Sequence, residues 1–191
     1  EFENTGGESG GEENPGGAGV TGEEMTFDLI KSGAIGSITL DTGKYGSQNT
    51  ADESTWYTWK FNNITFKGAR ICLADGTRGE GLQMQGNASD ESKQGFLFNA
   101  DPFSKDIKSV MVVMSVEKSS AYAPNYSFYV GDSAHPTTTS INAEPTVKEG
   151  EGEYKYYTYT FDLSSGSYKH FTIANDKVGA AYIMKINVTL K

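Results

Sequence analysis

The sequence predicts an all-β domain, a jelly-roll-like antiparallel β-sandwich with a disordered N-terminal tail, on three observations. From Met25 onward, short apolar or aromatic runs recur, and several alternate with period two. Clusters of turn residues stand between them, among them Asp75-Gly76, Gly86-Asn87 and Ser164-Ser165-Gly166. No amphipathic helix longer than two or three turns can be traced, and many short strands without helices mean a sandwich or a barrel.

Residues 1–24 form the first unit. They hold seven Glu and no Lys or Arg, with glycine pairs at Gly6-Gly7, Gly10-Gly11 and Gly16-Gly17. Such a segment buries too little apolar surface to offset the entropy of ordering, so it reads as a flexible, self-repelling acidic linker. Residues 25–191 form the second unit, the sandwich domain. Its candidate strands are 25–30, 56–61, 63–67, 69–74, 81–85, 94–99, 107–117, 125–131, 154–163, 168–175 and 180–190. The stretch 31–55, rich in Gly, Ser and Thr, is either a strand pair or a long surface loop. Tyr182, Met184, Ile186, Val188 and Leu190 alternate onto one face of the last strand. The unbroken apolar run Val110 to Met114 is expected to be covered on both faces.

Charge and composition restrict the function classes. The net charge is −9, but most of it lies in the tail; the remainder carries 16 basic against 18 acidic residues. Such a domain offers no basic field for phosphates, so a nucleic-acid partner is not expected. No stretch approaches the roughly 20 apolar residues needed to span a bilayer. The single cysteine, Cys72, excludes an intrachain disulfide framework and reads as a small buried hydrophobe.

Signals for catalysis are thin. His135 precedes Pro136 in a turn and His170 lies in an alternating strand; neither belongs to a nucleophile–base motif. Asp75, Glu80, Asp90, Glu91, Asp101 and Asp106 all fall near turns, where carboxylates are common, so a hydrolytic pair is not indicated. The expectation is a non-enzyme. No cofactor is assigned. Calcium is the one ion the turns at 75–80 and 87–91 could suit, although neither has the spacing of an EF-hand loop.

Aromatic residues are the most suggestive feature, with 11 Tyr, 10 Phe and 2 Trp. A ring flanked by polar side chains suits a sugar, because it covers the apolar face while the polar groups fix orientation. Alternation places Tyr57, Trp59 and Phe61 on one face and Trp56 on the other; it likewise separates Tyr157, Tyr159 and Phe161 from Tyr154 and Tyr156. Tyr122 precedes Ala123-Pro124-Asn125 and would tip a loop. Trp56, Tyr122, Tyr154 and Tyr156 are therefore the candidate ligand-binding rings.

Two segments are more specific. Tyr126-Ser127-Phe128-Tyr129-Val130-Gly131-Asp132-Ser133-Ala134-His135-Pro136-Thr137 is one, and Tyr168 to Asn175 leading to Ala180 through Val188 is the other. Together with Gly81 to Gln85, Gly95 to Asn99 and Asp106 to Val112, they resemble a secreted β-sandwich accessory module of Bacteroidetes, found after some secreted endonucleases and surface proteins. The resemblance spans roughly residues 56–190. It implies export, an accessory role without catalysis, and an extracellular or outer-membrane location. The acidic tail would then follow a lipid anchor upstream of residue 1, the only membrane contact expected. The expected function is adhesion or glycan recognition at the cell surface. The alternative is a structural or assembly module that contacts an envelope protein; a glycan hydrolase stands third.

Overall fold

A computed structural model describes residues 23–29, 40–61 and 63–191. The predicted linker lies almost wholly outside the described residues, as does the 31–39 part of the stretch left open by the sequence.

Among the described residues, thirteen strands form two antiparallel sheets. The first sheet contains β1 (Glu24–Asp28), β4 (Ile71–Leu73), β5 (Leu82–Met84), β7 (Ile107–Glu117), β10 (Pro145–Glu149), β11 (Tyr154–Asp162) and β13 (Ala181–Leu190). Its order is β10-β11-β7-β13-β5-β4, and β1 lies along β13 end to end with β5. The second sheet contains β2 (Tyr57–Phe61), β3 (Ile64–Ala69), β6 (Gly95–Asn99), β8 (Ser127–Gly131), β9 (Thr139–Ser140) and β12 (His170–Asn175), in the order β2-β3-β6-β12-β8-β9. The chain passes repeatedly from one sheet to the other, as a jelly-roll-like sandwich requires. All eleven expected strands are present. The two further strands, β9 and β10, are short and mostly exposed, and they lack the buried alternation that would mark them.

The inward faces interdigitate through aromatic rings. Phe128 of β8 stacks on Phe161 of β11 at 3.9 Å between ring centroids, and on Phe171 of β12 at 5.7 Å. Phe27 meets Phe61 and Phe66 edge-on at 5.2 and 5.0 Å. Such pairs add roughly 0.5–1.5 kcal/mol each beyond the area they bury.

Residues 40–55 are not a strand pair. Their first part seals the open edge of β4. The buried Gln48 side chain donates from Nε2 to the Ile71 carbonyl at 2.8 Å and accepts from the Ile71 N–H at 3.0 Å. The Asp41 carbonyl accepts from the Leu73 N–H, and the Gly43 N–H donates back to the Leu73 carbonyl. An amide side chain thus completes the ladder of an otherwise exposed edge.

Double coverage falls on a different strand from the one the apolar run suggested. In β7, Val110, Val112 and Met114 are buried, while Met111 and Val113 on the outer face are only half-buried. In β6 every residue is buried. The reason is a small second layer outside the second sheet. Phe96 and Phe98 point outward and are covered by Trp56 and by the loop after β8. His135 of that loop lies flat on Phe98 at 4.4 Å and on Phe96 at 4.6 Å, with Trp56 edge-on at 5.5 Å. Its backbone has φ +56°, an uncommon left-handed value that His tolerates better than β-branched residues.

Burial holds the His135 imidazole below its ordinary pKa, partly opposed by Glu53. The folded state therefore favours the neutral ring. This contribution is complete above the unfolded pKa of about 6.5 and fades as pH falls through and below it. Thermal melts should show wild type losing more stability between pH 7.5 and 5.5 than His135→Asn, a variant that retains left-handed tolerance but does not titrate. Parallel pH profiles of the two proteins would show that His135 does not carry this dependence.

Candidate functional site

The connection between β4 and β5 folds across one end of the first sheet's outer face. Four side chains and backbone groups from beneath hold it. Ser115 accepts from the Glu80 N–H at 2.7 Å and donates to the Glu80 carbonyl at 3.1 Å. The Glu117 N–H donates to the Arg78 carbonyl at 3.2 Å. The Tyr154 hydroxyl donates to the Gly76 carbonyl, and the Tyr156 hydroxyl reaches Glu80 Oε2 at 3.4 Å. Gly79 lies directly on the Tyr182 ring, where a Cβ would stand 2.2 Å from Cγ. Gly81, at φ +94°, permits the sharp return into β5.

This arch forms one side of a cleft of about 640 Å³. Arg78 comes from the arch itself. Ser120 and Tyr122 to Asn125, between β7 and β8, form the facing wall, and Val178 to Ala180, between β12 and β13, form the third. Gln83, Ser115 and Tyr182 line it from the strands. The second and third walls are fastened together: Asn125 Nδ2 donates to the Val178 carbonyl at 2.7 Å, and Lys177 Nζ to the Tyr126 carbonyl at 3.2 Å. Within the third wall, Asn175 Nδ2 donates to the Gly179 carbonyl at 2.8 Å.

Tyr182 reaches the cleft because of a register shift. Strict alternation put it on the same face as Ile186, Val188 and Leu190. An irregularity between Ile183 and Lys185 in the pairing with β7 reverses the phase, so Ile183 is buried and Tyr182 faces outward beside Gln83. Bulges re-aim side chains in this way. Burial raises the Tyr182 hydroxyl pKa, with Arg78 as an opposing influence.

The four candidate rings are not gathered in one place. Tyr122 stands on the cleft and is 80% exposed. Tyr154 and Tyr156 lie on the same sheet face, but their hydroxyls serve the arch. Both hydroxyls are raised in pKa, first by burial and then by nearby carboxylates, Glu80 foremost. Trp56 lies outside the opposite sheet, packed on Phe96 and Phe98, and its indole N–H donates to the Asn49 and Thr50 carbonyls. Sequence reasoning missed Arg78, Glu117, Val178 and Tyr182. Only Tyr182 carried a signal, its aromatic character, and the register shift disguised it.

The acidic turns are occupied by local hydrogen bonds. Asp75 accepts from the Thr77 N–H, which holds its carboxyl below the ordinary range. Asn87 Oδ1 accepts from the Ser89 and Asp90 N–H groups, and Asp90 pairs with Lys93 at 2.8 Å. Among the described residues, no group of three or more His, Cys, Asp or Glu side chains is placed to hold a metal ion. His170 is buried, with Nδ1 2.9 Å from the Asn99 carbonyl.

The cleft is lined by more apolar than polar surface, with the Tyr122 and Tyr182 rings set among a few polar side chains. Gln83 donates to the Tyr45 hydroxyl at 2.7 Å and Asn125 to the Val178 carbonyl at 2.7 Å, and among the described residues neither amide oxygen accepts a hydrogen bond. Among the described residues, the Arg78 guanidinium and the Glu117 carboxylate form no hydrogen bond or ion pair within the fold. No protein-family model and no curated protein matches the chain.

Gly79→Ala should lift the arch from Tyr182. Overpacking of this kind costs about 1–3 kcal/mol. The expected results are a lower melting temperature and an increase in amide exchange confined to residues 74–81. An unchanged exchange pattern would contradict the close approach.

Proposed function

We propose that this domain is a non-catalytic glycan-recognition module displayed at the cell surface, and that its ligand lies in the cleft between Tyr122, Val178 and Tyr182. One observation carries the reading. Of the three large apolar side chains left exposed among the described residues, two, Tyr122 at 80% and Val178 at 75%, stand on this one cleft. Exposed apolar groups concentrated at one site mark interaction surfaces. Here they are interleaved with Arg78, Glu117, Gln83 and Asn125, a mixture of planar donors and acceptors that suits the edge hydroxyls of a sugar. Surface display is supported by the acidic, Gly-rich tail and by the resemblance of the last strands to an exported module.

A second reading, an assembly module contacting an envelope protein, is favoured by β10. This strand is the outer edge of its sheet, and Val147 on it is 49% exposed. Edges of this kind accept an added strand, although Lys148 and Glu149 discourage it.

A glycan array screened with the full chain tests the first reading. Wild type should retain a defined glycan class. Tyr122→Ala should weaken retention about tenfold or more, as for an anchor ring worth about 1.4 kcal/mol. Trp56→Ala should keep the same specificity while lowering the melting temperature. Retention unaffected by Tyr122→Ala, or abolished selectively by Trp56→Ala, would overturn the assignment of the cleft.

A further inference from the structure

We infer that the cleft selects a neutral saccharide over a carboxylated or sulfated one, and that the Glu117 carboxylate is the acceptor that fixes adjacent hydroxyls. This rests on the glycan reading above. Glu117 ends β7, where its N–H holds the Arg78 carbonyl at 3.2 Å while its carboxylate has no hydrogen bond or ion pair among the described residues. A carboxylate can only accept, and it can accept from two donors at once. Neighbouring hydroxyls of a neutral sugar supply two such donors. A uronate or sulfate would bring a second anion into the same space.

The charges around the cleft favour the neutral ligand. Among the described residues Arg78 is the one cation that lines the cleft; the Lys155 and Lys177 ammonium groups at its margin donate to the Ser120 and Tyr126 carbonyls, at 2.6 and 3.2 Å. Against Arg78 stand Glu117 and, at the same end of the sheet, Asp75, Glu80 and Glu153, all close enough to influence the Tyr154 hydroxyl. Asp75 also draws on the Arg78 field. The whole chain carries a net charge of −9, and the domain from Met25 onward keeps a slight acidic excess, 18 acidic against 16 basic residues. Arg78 therefore serves as a planar donor in an acidic surround, which suits a hydroxyl or ring oxygen, and it is outnumbered as an anion receptor.

Matched oligosaccharides test this. Galactan, glucan and mannan oligomers would each be titrated into the full chain by calorimetry, alongside oligogalacturonate, glucuronan, mannuronan and sulfated galactan oligomers. At least one neutral member should bind, and its charged counterpart about tenfold or more weaker at low salt. The gap should narrow at high salt, where exposed charges are screened. Glu117→Gln should keep the wild-type melting temperature, weaken the neutral ligand about tenfold and reduce the discrimination. A charged oligomer bound as tightly as its neutral counterpart, or neutral binding unaffected by Glu117→Gln, would overturn the inference and leave the glycan reading standing. No binding by any member of either set would overturn both.

Discussion

The stacking of Phe128 on Phe161, with Phe171 beside them, is the contact on which the rest of the molecule depends. Phe128 and Phe171 belong to one sheet and Phe161 to the other, so these rings set the spacing and mutual rotation of the two layers. Their neighbours along each strand fall into place by the period-two rule. Tyr157 and Tyr159 join Phe161 inside, while Tyr156 and Thr158 face outward. Removing water from these rings supplies the main driving force, and the antiparallel ladders satisfy the backbone groups that burial would otherwise leave unpaired.

Once the core is closed, the outer faces become the variable surface, and the chain treats them differently. The second sheet is covered by Trp56 and His135, which turn Phe96 and Phe98 into a small outer core. The first sheet is covered at one end by the arch over Tyr182, pinned by Ser115, Tyr154 and Tyr156. The arch leaves space between itself and the fastened walls at Asn125 and Val178. The cleft is thus a consequence of how three connections meet above one strand end, on a rigid sheet.

The sequence carried the fold well, because alternation reports burial directly. Tyr157, Tyr159 and Phe161 were legible as core, and Trp56, Tyr154 and Tyr156 as residues of the opposite faces. Alternation could not say what lies above an outer face. Trp56 meets two outward Phe rings from β6, and Tyr154 meets a carbonyl from a connection 78 residues away. Such contacts depend on where long-range loops land. The register shift before Lys185 was equally hidden, since it arises from pairing with β7 and leaves no local composition mark. Tyr122 was legible because Ala123-Pro124-Asn125 beside it reads as a loop, and the connection between β7 and β8 carries it exposed. Its companions Arg78, Glu117 and Val178 come from separate connections that no spacing rule joins.

On the reading proposed above, binding occurs in the cleft built by the arch and its facing walls, and the other conspicuous rings serve the fold. Amide chemical-shift mapping of the full chain during titration with a pool of neutral oligosaccharides tests it most directly. Shifts confined to residues 76–83, 115–125 and 176–183, with Trp56 and its neighbours unmoved, are expected. Shifts centred on Trp56, Phe98 and His135, or along the β10 edge, would contradict it.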